Sequence, residues 1–198
     1  MTLADGRYSH AEGMDTIVAN IGAHSEGGWT IATGKLAHAE GQRTRSTGTQ
    51  SHAEGNETVA SGSGAHSEGS CSKATGEASH AEGGSTNATG DLSHAEGVST
   101  WATGRASHSE GKLTSARGEC AYAGGVKSEA NGTCSFARGE ECFAWADNTT
   151  VFGYKAQANG KRVFCWNGAT EAYGANVAGD GTFLVNPLKG INGFYIGT

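Results

Sequence analysis

The sequence predicts an all-β fold, a parallel β-solenoid in which every coil takes 14 residues. Three observations carry the prediction. The motif Ser9-His10-Ala11-Glu12-Gly13 returns, with Ser and Ala interchanging, around His24, His38, His52, His66, His80, His94 and His108, always 14 residues apart. Glycine closes each half of that period, at seven-residue steps. Between the glycines, small residues alternate with variable ones. A period held without insertion makes each unit the neighbour of the next in a stack. Glycine every seventh residue excludes a long helix, since each costs about 1 kcal/mol in a helix interior.

The first half of each period reads Ser/Ala-His-Ala/Ser-Glu-Gly, and the second reads Thr/Ser-x-Ala-Thr-Gly, as in Thr30-Ile31-Ala32-Thr33-Gly34 and Thr86-Asn87-Ala88-Thr89-Gly90. Each half predicts a four-residue extended segment ended by glycine, which supplies positive φ or close backbone approach in the turn. Alternate residues of a strand face opposite ways. Ser and Ala of the first half, and Thr and Ala of the second, therefore line a thin interior. His and Glu point outward from one sheet; the variable residue and the second Thr point outward from the other.

Past Gly111 the register survives while the residues change. Tyr122 and Phe136 take the histidine position, Cys142-Phe143-Ala144-Trp145-Ala146 is a second half, and the run closes at Gly160. Gly6 to Gly160 is eleven periods, a rod of roughly 50 Å at about 4.8 Å per coil. Residues 1–160 are thus expected to form the repeat domain and residues 161–198 a small C-terminal β cap over the last coil. Within the cap, Arg162-Val163-Phe164-Cys165-Trp166-Asn167-Gly168 ends on the Asn-Gly signal of a hairpin.

Composition agrees with a thin core: the chain has 33 glycines, one proline (Pro187) and only 8% aromatic residues. The net charge of −6 is spread evenly, leaving no basic stripe for nucleic acid. No apolar run approaches membrane-spanning length, so no membrane insertion is expected. The opening Met1-Thr2-Leu3-Ala4-Asp5-Gly6 shows no basic-then-apolar signal pattern. Cys71, Cys120, Cys134, Cys142 and Cys165 lack the paired spacing of a disulfide framework or zinc site. Cys120 and Cys134 fall on adjacent coils, where a bridge competes with the reading of two small buried thiols.

The paired seven-residue halves, with alternating small residues and closing glycines, resemble the YadA-like head repeat of trimeric autotransporter adhesins. The Ser-His-Ala-Glu-Gly units also resemble repeats in phage and prophage tail surface proteins. The resemblance covers about 150 of the 198 residues. It implies a left-handed parallel β-roll, three chains to a head, displayed on a cell surface or a virion such as a phage tail. It also makes Ala146-Asp147-Asn148-Thr149-Thr150-Val151-Phe152-Gly153 look like the passage from head to neck. The implied work is structural and adhesive, binding a host-surface protein or glycan by multivalent display. This chain departs from those heads in placing His and Glu where they carry aliphatic residues.

One internal contrast assigns the faces. The histidine row is uniform and then aromatic, whereas the matching second-half row holds Ile31, Arg45, Val59, Lys73, Asn87, Trp101, Ser115 and Glu129. The mixed row is what a solvated face tolerates; the uniform row is what a buried one requires. The expected interface of the homotrimer is therefore His10, His24, His38, His52, His66, His80, His94 and His108 with Glu12, Glu26, Glu40, Glu54, Glu68, Glu82, Glu96 and Glu110. Tyr122 and Phe136 continue it. Each Glu is expected to bond the His of a neighbouring chain.

No cofactor is required by this reading. The sharper alternative is a bound metal or anion on the threefold axis, with His52, His66, His80 and His94 as the metal ladder. An ice-binding solenoid built on the Thr-x-Ala-Thr face is a further alternative. No enzyme is expected. The chain has no nucleophile elbow, phosphate loop or His-Glu-x-x-His pattern, and eight equivalent sites do not make the single convergence of unlike groups that catalysis needs.

Overall fold

The computed structural model describes residues 2–168 and 175–186, which are strand and turn throughout. The strands form two parallel sheets of 13 strands each, and consecutive strands along the chain alternate between them. One sheet is built from five-residue strands such as His66–Ser70 and His80–Gly84; the other is built mostly from two-residue strands such as Lys73–Ala74 and Asn87–Ala88. The two halves of the period are therefore unequal, in place of the two four-residue segments expected. Through the histidine coils the motif pairs in register: His66 opposes His80, Glu68 opposes Glu82 and Gly69 opposes Gly83. This is a parallel β-solenoid with 14-residue coils. Its backbone bonds run from coil to coil, as from the His66 N–H to the Ser79 carbonyl at 2.9 Å.

The interior is as thin as the composition requires. In the coil that begins at Ser79, the residues Ser79, Ala81, Thr86 and Ala88 are all at most 1% exposed. The two largest fully buried side chains of the described residues are Val18 and Val151. Hydroxyls tie the sheets together across this space: Ser25 meets Thr30 at 2.7 Å, Ser109 meets Thr114 at 2.8 Å, and Ser67 meets Ser72 at 3.0 Å. Where alanine replaces that serine the hydroxyl opposite loses this partner: Thr16, Thr44, Thr86 and Thr100, facing Ala11, Ala39, Ala81 and Ala95, are buried without one, while Thr58, facing Ala53, donates to the Glu54 carbonyl at 3.1 Å. Buried hydroxyls normally find one, so the Ser/Ala interchange in the motif decides whether a coil is cross-tied.

The glycines act in two ways. Gly69 takes φ +95°, a conformation that other residues rarely adopt. Gly76 has an ordinary φ, but a Cβ there would lie 2.1 Å from the Gly90 carbonyl oxygen of the next coil. Two residues after each closing position the chain turns left-handed. From Tyr8 to Arg162 every seventh residue has φ between +49° and +65°, and only Gly22 and Gly64 among these are glycines. The N–H at that position is aimed back at the preceding coil, as from Cys71 to the Asn56 carbonyl at 2.9 Å and from Ala78 to Ser63 at 2.8 Å. Cys71, Cys120 and Cys134 occupy such turns and are exposed free thiols; Cys142 and Cys165 are buried. Cys120 and Cys134 are thus neither bridged nor buried.

Both sheets run on past Gly160. Phe164–Asn167 pairs in parallel with Thr150–Tyr154, Ala175–Val177 with Ala156–Ala158, and Phe183–Asn186 with Phe164–Asn167. The hairpin expected at Arg162–Gly168 is replaced by another coil, because Phe164, Cys165 and Trp166 repeat the in-out alternation of the strand beneath. Likewise residues 146–153, which look like a head-to-neck passage, carry the strand Thr150–Tyr154 in register with Phe136–Glu140 and continue the stack. Phe183 follows Phe164 by 19 residues instead of 14, so the last described coil is enlarged. Residues 169–174 and 187–198 of the expected cap lie outside the described residues. Among the described residues no helix is long and apolar enough to cross a membrane.

Candidate functional site: a column of imidazoles and carboxylates

Histidine and glutamate stand two apart on the five-residue strands, so the pleat sends both side chains outward on the same face. Parallel in-register pairing then stacks each histidine on the last. From His24 to His94 the ring centroids are 4.7–4.9 Å apart and the ring planes lie within 9° of parallel. His10 caps the column edge-on, at 82° to His24, and His108 tilts by 31° from His94. The carboxylates form a second row beside the first.

All sixteen expected His and Glu residues, with Tyr122 and Phe136, lie on this one face, and the column continues further than the spacing foretold. Tyr122 and Phe136 stack at 4.6 Å. Phe152 follows at 5.0 Å, then Phe164 at 6.0 Å and Phe183 at 4.9 Å, making thirteen rings in succession. Thr150 holds the histidine register at one coil, and the column steps sideways to Phe152, in the glutamate register, before returning at Phe164. Fixed 14-residue spacing lands on Thr150, where the ring is missing, and on Phe164 again, but it does not reach Phe152 or Phe183. The aromatic content of each outward strand face was the available signal.

Each carboxylate lies beside the imidazole of its own strand. The Nε2–Oε2 separations run from 3.4 Å at His38–Glu40 and His52–Glu54 to 4.0 Å at His108–Glu110. Each carboxylate thus has an imidazole of its own chain beside it. His10 and Glu12 are hydrogen-bonded at 3.5 Å; from His24 onward the pairs are close but not hydrogen-bonded. From His24 to His108 every Nε2 is shielded from solvent without a hydrogen-bond partner, although the side chains themselves are about one third exposed, 33–39%.

The electrostatics follow from that crowding. Partial burial, and then the flanking His38 and His66, lower the pKa of His52, outweighing the upward pull of Glu54 and Glu40. Burial, His108 and His80 do the same to His94 against Glu82 and Glu110. At the column's chemical boundary, the Tyr122 hydroxyl donates to Glu110, and Arg138 approaches the same carboxylate at 3.8 Å. That bond holds the Glu110 carboxyl below its usual range, while burial and the carboxylate push the Tyr122 phenol up to about 12. Gly124 makes room for it: a Cβ there would lie 2.9 Å from the Tyr122 hydroxyl.

Four groups on this face bring three potential metal ligands within 4.8 Å of one another: His38, Glu40 and His52; His52, Glu54 and His66; His80, Glu82 and His94; Glu96, His108 and Glu110. The four histidines expected as a metal ladder are all among them. The opposite face differs in kind. Its first threonines, such as Thr86 and Thr100, are fully buried, so the paired exposed threonine rows of an ice-binding surface are absent from the described residues. Trp101, Thr103, Ser115 and Arg117 line a shallow notch there of about 220 Å³. A scan against protein-family models and a search of curated proteins both find no match to the chain.

Proposed function

We propose that this solenoid is a non-catalytic structural rod of a surface appendage, a bacterial adhesin or a phage or prophage tail, and that it works as a homotrimer packed through the His/Glu face. The observation that carries the reading is the column of thirteen rings. A single chain leaves this aromatic strip half-exposed along the described length of the rod, with buried imidazole nitrogens that lack hydrogen-bond partners. The part-exposed apolar end of the strip, Tyr122 to Phe183, has the character of an interaction surface, and along the imidazole stretch unpaired buried nitrogens are costly unless a partner completes them. The mixed row on the other sheet, from Ile31 to Glu129, has the variety of a face that meets solvent or ligand.

In that arrangement the outer face presents its variable residues three times over, and modest single contacts to a host-surface protein or glycan gain by multivalency. Removing two adjacent rings tests the interface. The double variant His66→Ala/His80→Ala is expected to dissociate at protein concentrations where the parent chain stays assembled, measured by analytical ultracentrifugation. Unchanged association would take the histidine column out of the interface.

A further inference from the structure

We propose that the His/Glu face binds divalent transition-metal ions, two per chain. One ion is shared between the overlapping groups His38/Glu40/His52 and His52/Glu54/His66, and the other sits at His80/Glu82/His94. The donors are one chain's own residues, on the same face that the trimer reading buries, so an ion and a neighbouring chain would complete the same nitrogens and mass and uptake are read on the same samples.

The donor set comes first. Each of these groups offers two imidazole nitrogens and one carboxylate oxygen, with all three atoms within 4.8 Å of one another. That is a borderline ligand set, suited to Zn²⁺, Ni²⁺ or Cu²⁺ and poorly suited to the all-oxygen preference of Mg²⁺ or Ca²⁺. The nitrogens are also uncommitted: Nε2 of His38, His52, His66, His80 and His94 is buried without a hydrogen-bond partner. An ion would complete them.

Geometry then sets what must move. Two donors on a tetrahedral zinc lie roughly 3.4 Å apart, given Zn–ligand bonds of about 2.1 Å. The near-parallel rings aim their Nε2 lone pairs side by side, so one ring of each pair must turn to converge on the ion. The 31° tilt of His108 from His94 shows that the column accommodates such a turn. Three protein ligands leave the fourth tetrahedral position to water.

Sharing fixes the stoichiometry. His52 belongs to two groups and ligates one ion at a time. The fourth group, Glu96/His108/Glu110, has a single nitrogen, and its Glu110 is already engaged by Tyr122 and Arg138. It is therefore not counted.

The test is calorimetric titration of the full chain, stripped with chelator, with zinc chloride near neutral pH. Two ions per chain are expected. His52→Asn removes both overlapping groups and leaves one ion. His38→Asn leaves two, because His52/Glu54/His66 survives. Glu82→Gln, which spares every ring, weakens the second site at least tenfold, and His10→Asn changes nothing. Cobalt in place of zinc is expected to give the intense visible bands of tetrahedral coordination. No uptake, a stoichiometry near eight with each histidine acting alone, or equal loss in the His38 and His52 variants would overturn the proposal. Solution mass measured on the same samples separates this outcome from the trimer reading: zinc uptake lost with association intact removes the metal site only.

Discussion

At the scale of single residues, the interchange of Ser and Ala after each histidine has a physical consequence. Ser25, Ser67 and Ser109 each find a hydroxyl across the interior, whereas Ala81 leaves the Thr86 hydroxyl buried and unpaired. The space for a hydroxyl exists, since serine occupies the equivalent position in neighbouring coils. Ala81→Ser is expected to stabilise the chain by about 1 kcal/mol, the net worth of one intramolecular hydrogen bond. Urea denaturation checks it, and a lower midpoint would mean that the hydroxyl is stranded rather than paired. The histidines give a second residue-scale expectation. The folded-state pKa of His52 and His94 is depressed below 6.5, so the unfolded chain binds more protons as pH falls through 6.5. Their contribution to stability is fully present above 6.5 and is lost on acidification down through the folded pKa. Thermal unfolding from pH 7.5 to 5 should show a declining Tm, and the double variant His52→Asn/His94→Asn a flatter profile. An equally steep profile in the variant would place the proton uptake elsewhere.

At the scale of the coil, the sequence made the period, the small inward residues and the outward His/Glu row legible, because a strict 14-residue repeat and strand alternation leave them no other place. It did not reveal that the halves differ in strand length. The closing glycines do supply the positive φ or close approach expected of them, but a further left-handed residue two positions later went unread. The signal was present: from Tyr8 to Arg162 none of the 23 left-handed positions carries Val, Ile, Thr or Pro, although threonine is common elsewhere in the repeat. Branching at Cβ is what that conformation tolerates least. Ser85, exposed and at φ +57°, isolates the effect. Ser85→Val is expected to cost about 1–2 kcal/mol of stability, while Ser85→Asn, with its tolerance of the left-handed region, stays within about 0.5 kcal/mol. Equal effects of the two would show that the turn does not constrain the residue. The missed extension of the ring column has a different cause. Thr150 and the enlarged coil before Phe183 break the spacing, while the stacking of rings bridges both.

At the scale of the whole molecule, a stack held by coil-to-coil backbone bonds and an interior of alanine, serine and threonine buries little apolar area per residue. Its stability accumulates by repetition, each coil resting only on its neighbours. Such a rod gains from a second means of burial, and the half-exposed column along one sheet is where the described structure offers it. The thin core, the unpaired imidazole nitrogens and the aromatic continuation of the column therefore support one account, in which the His/Glu face is completed by other copies of the chain. Light scattering of the purified chain near neutral pH tests that account most directly. It predicts a mass about three times the 20.1 kDa of one chain, unchanged by a strong chelator. A mass of 20.1 kDa in both buffers would contradict it and return the imidazole column to an open face.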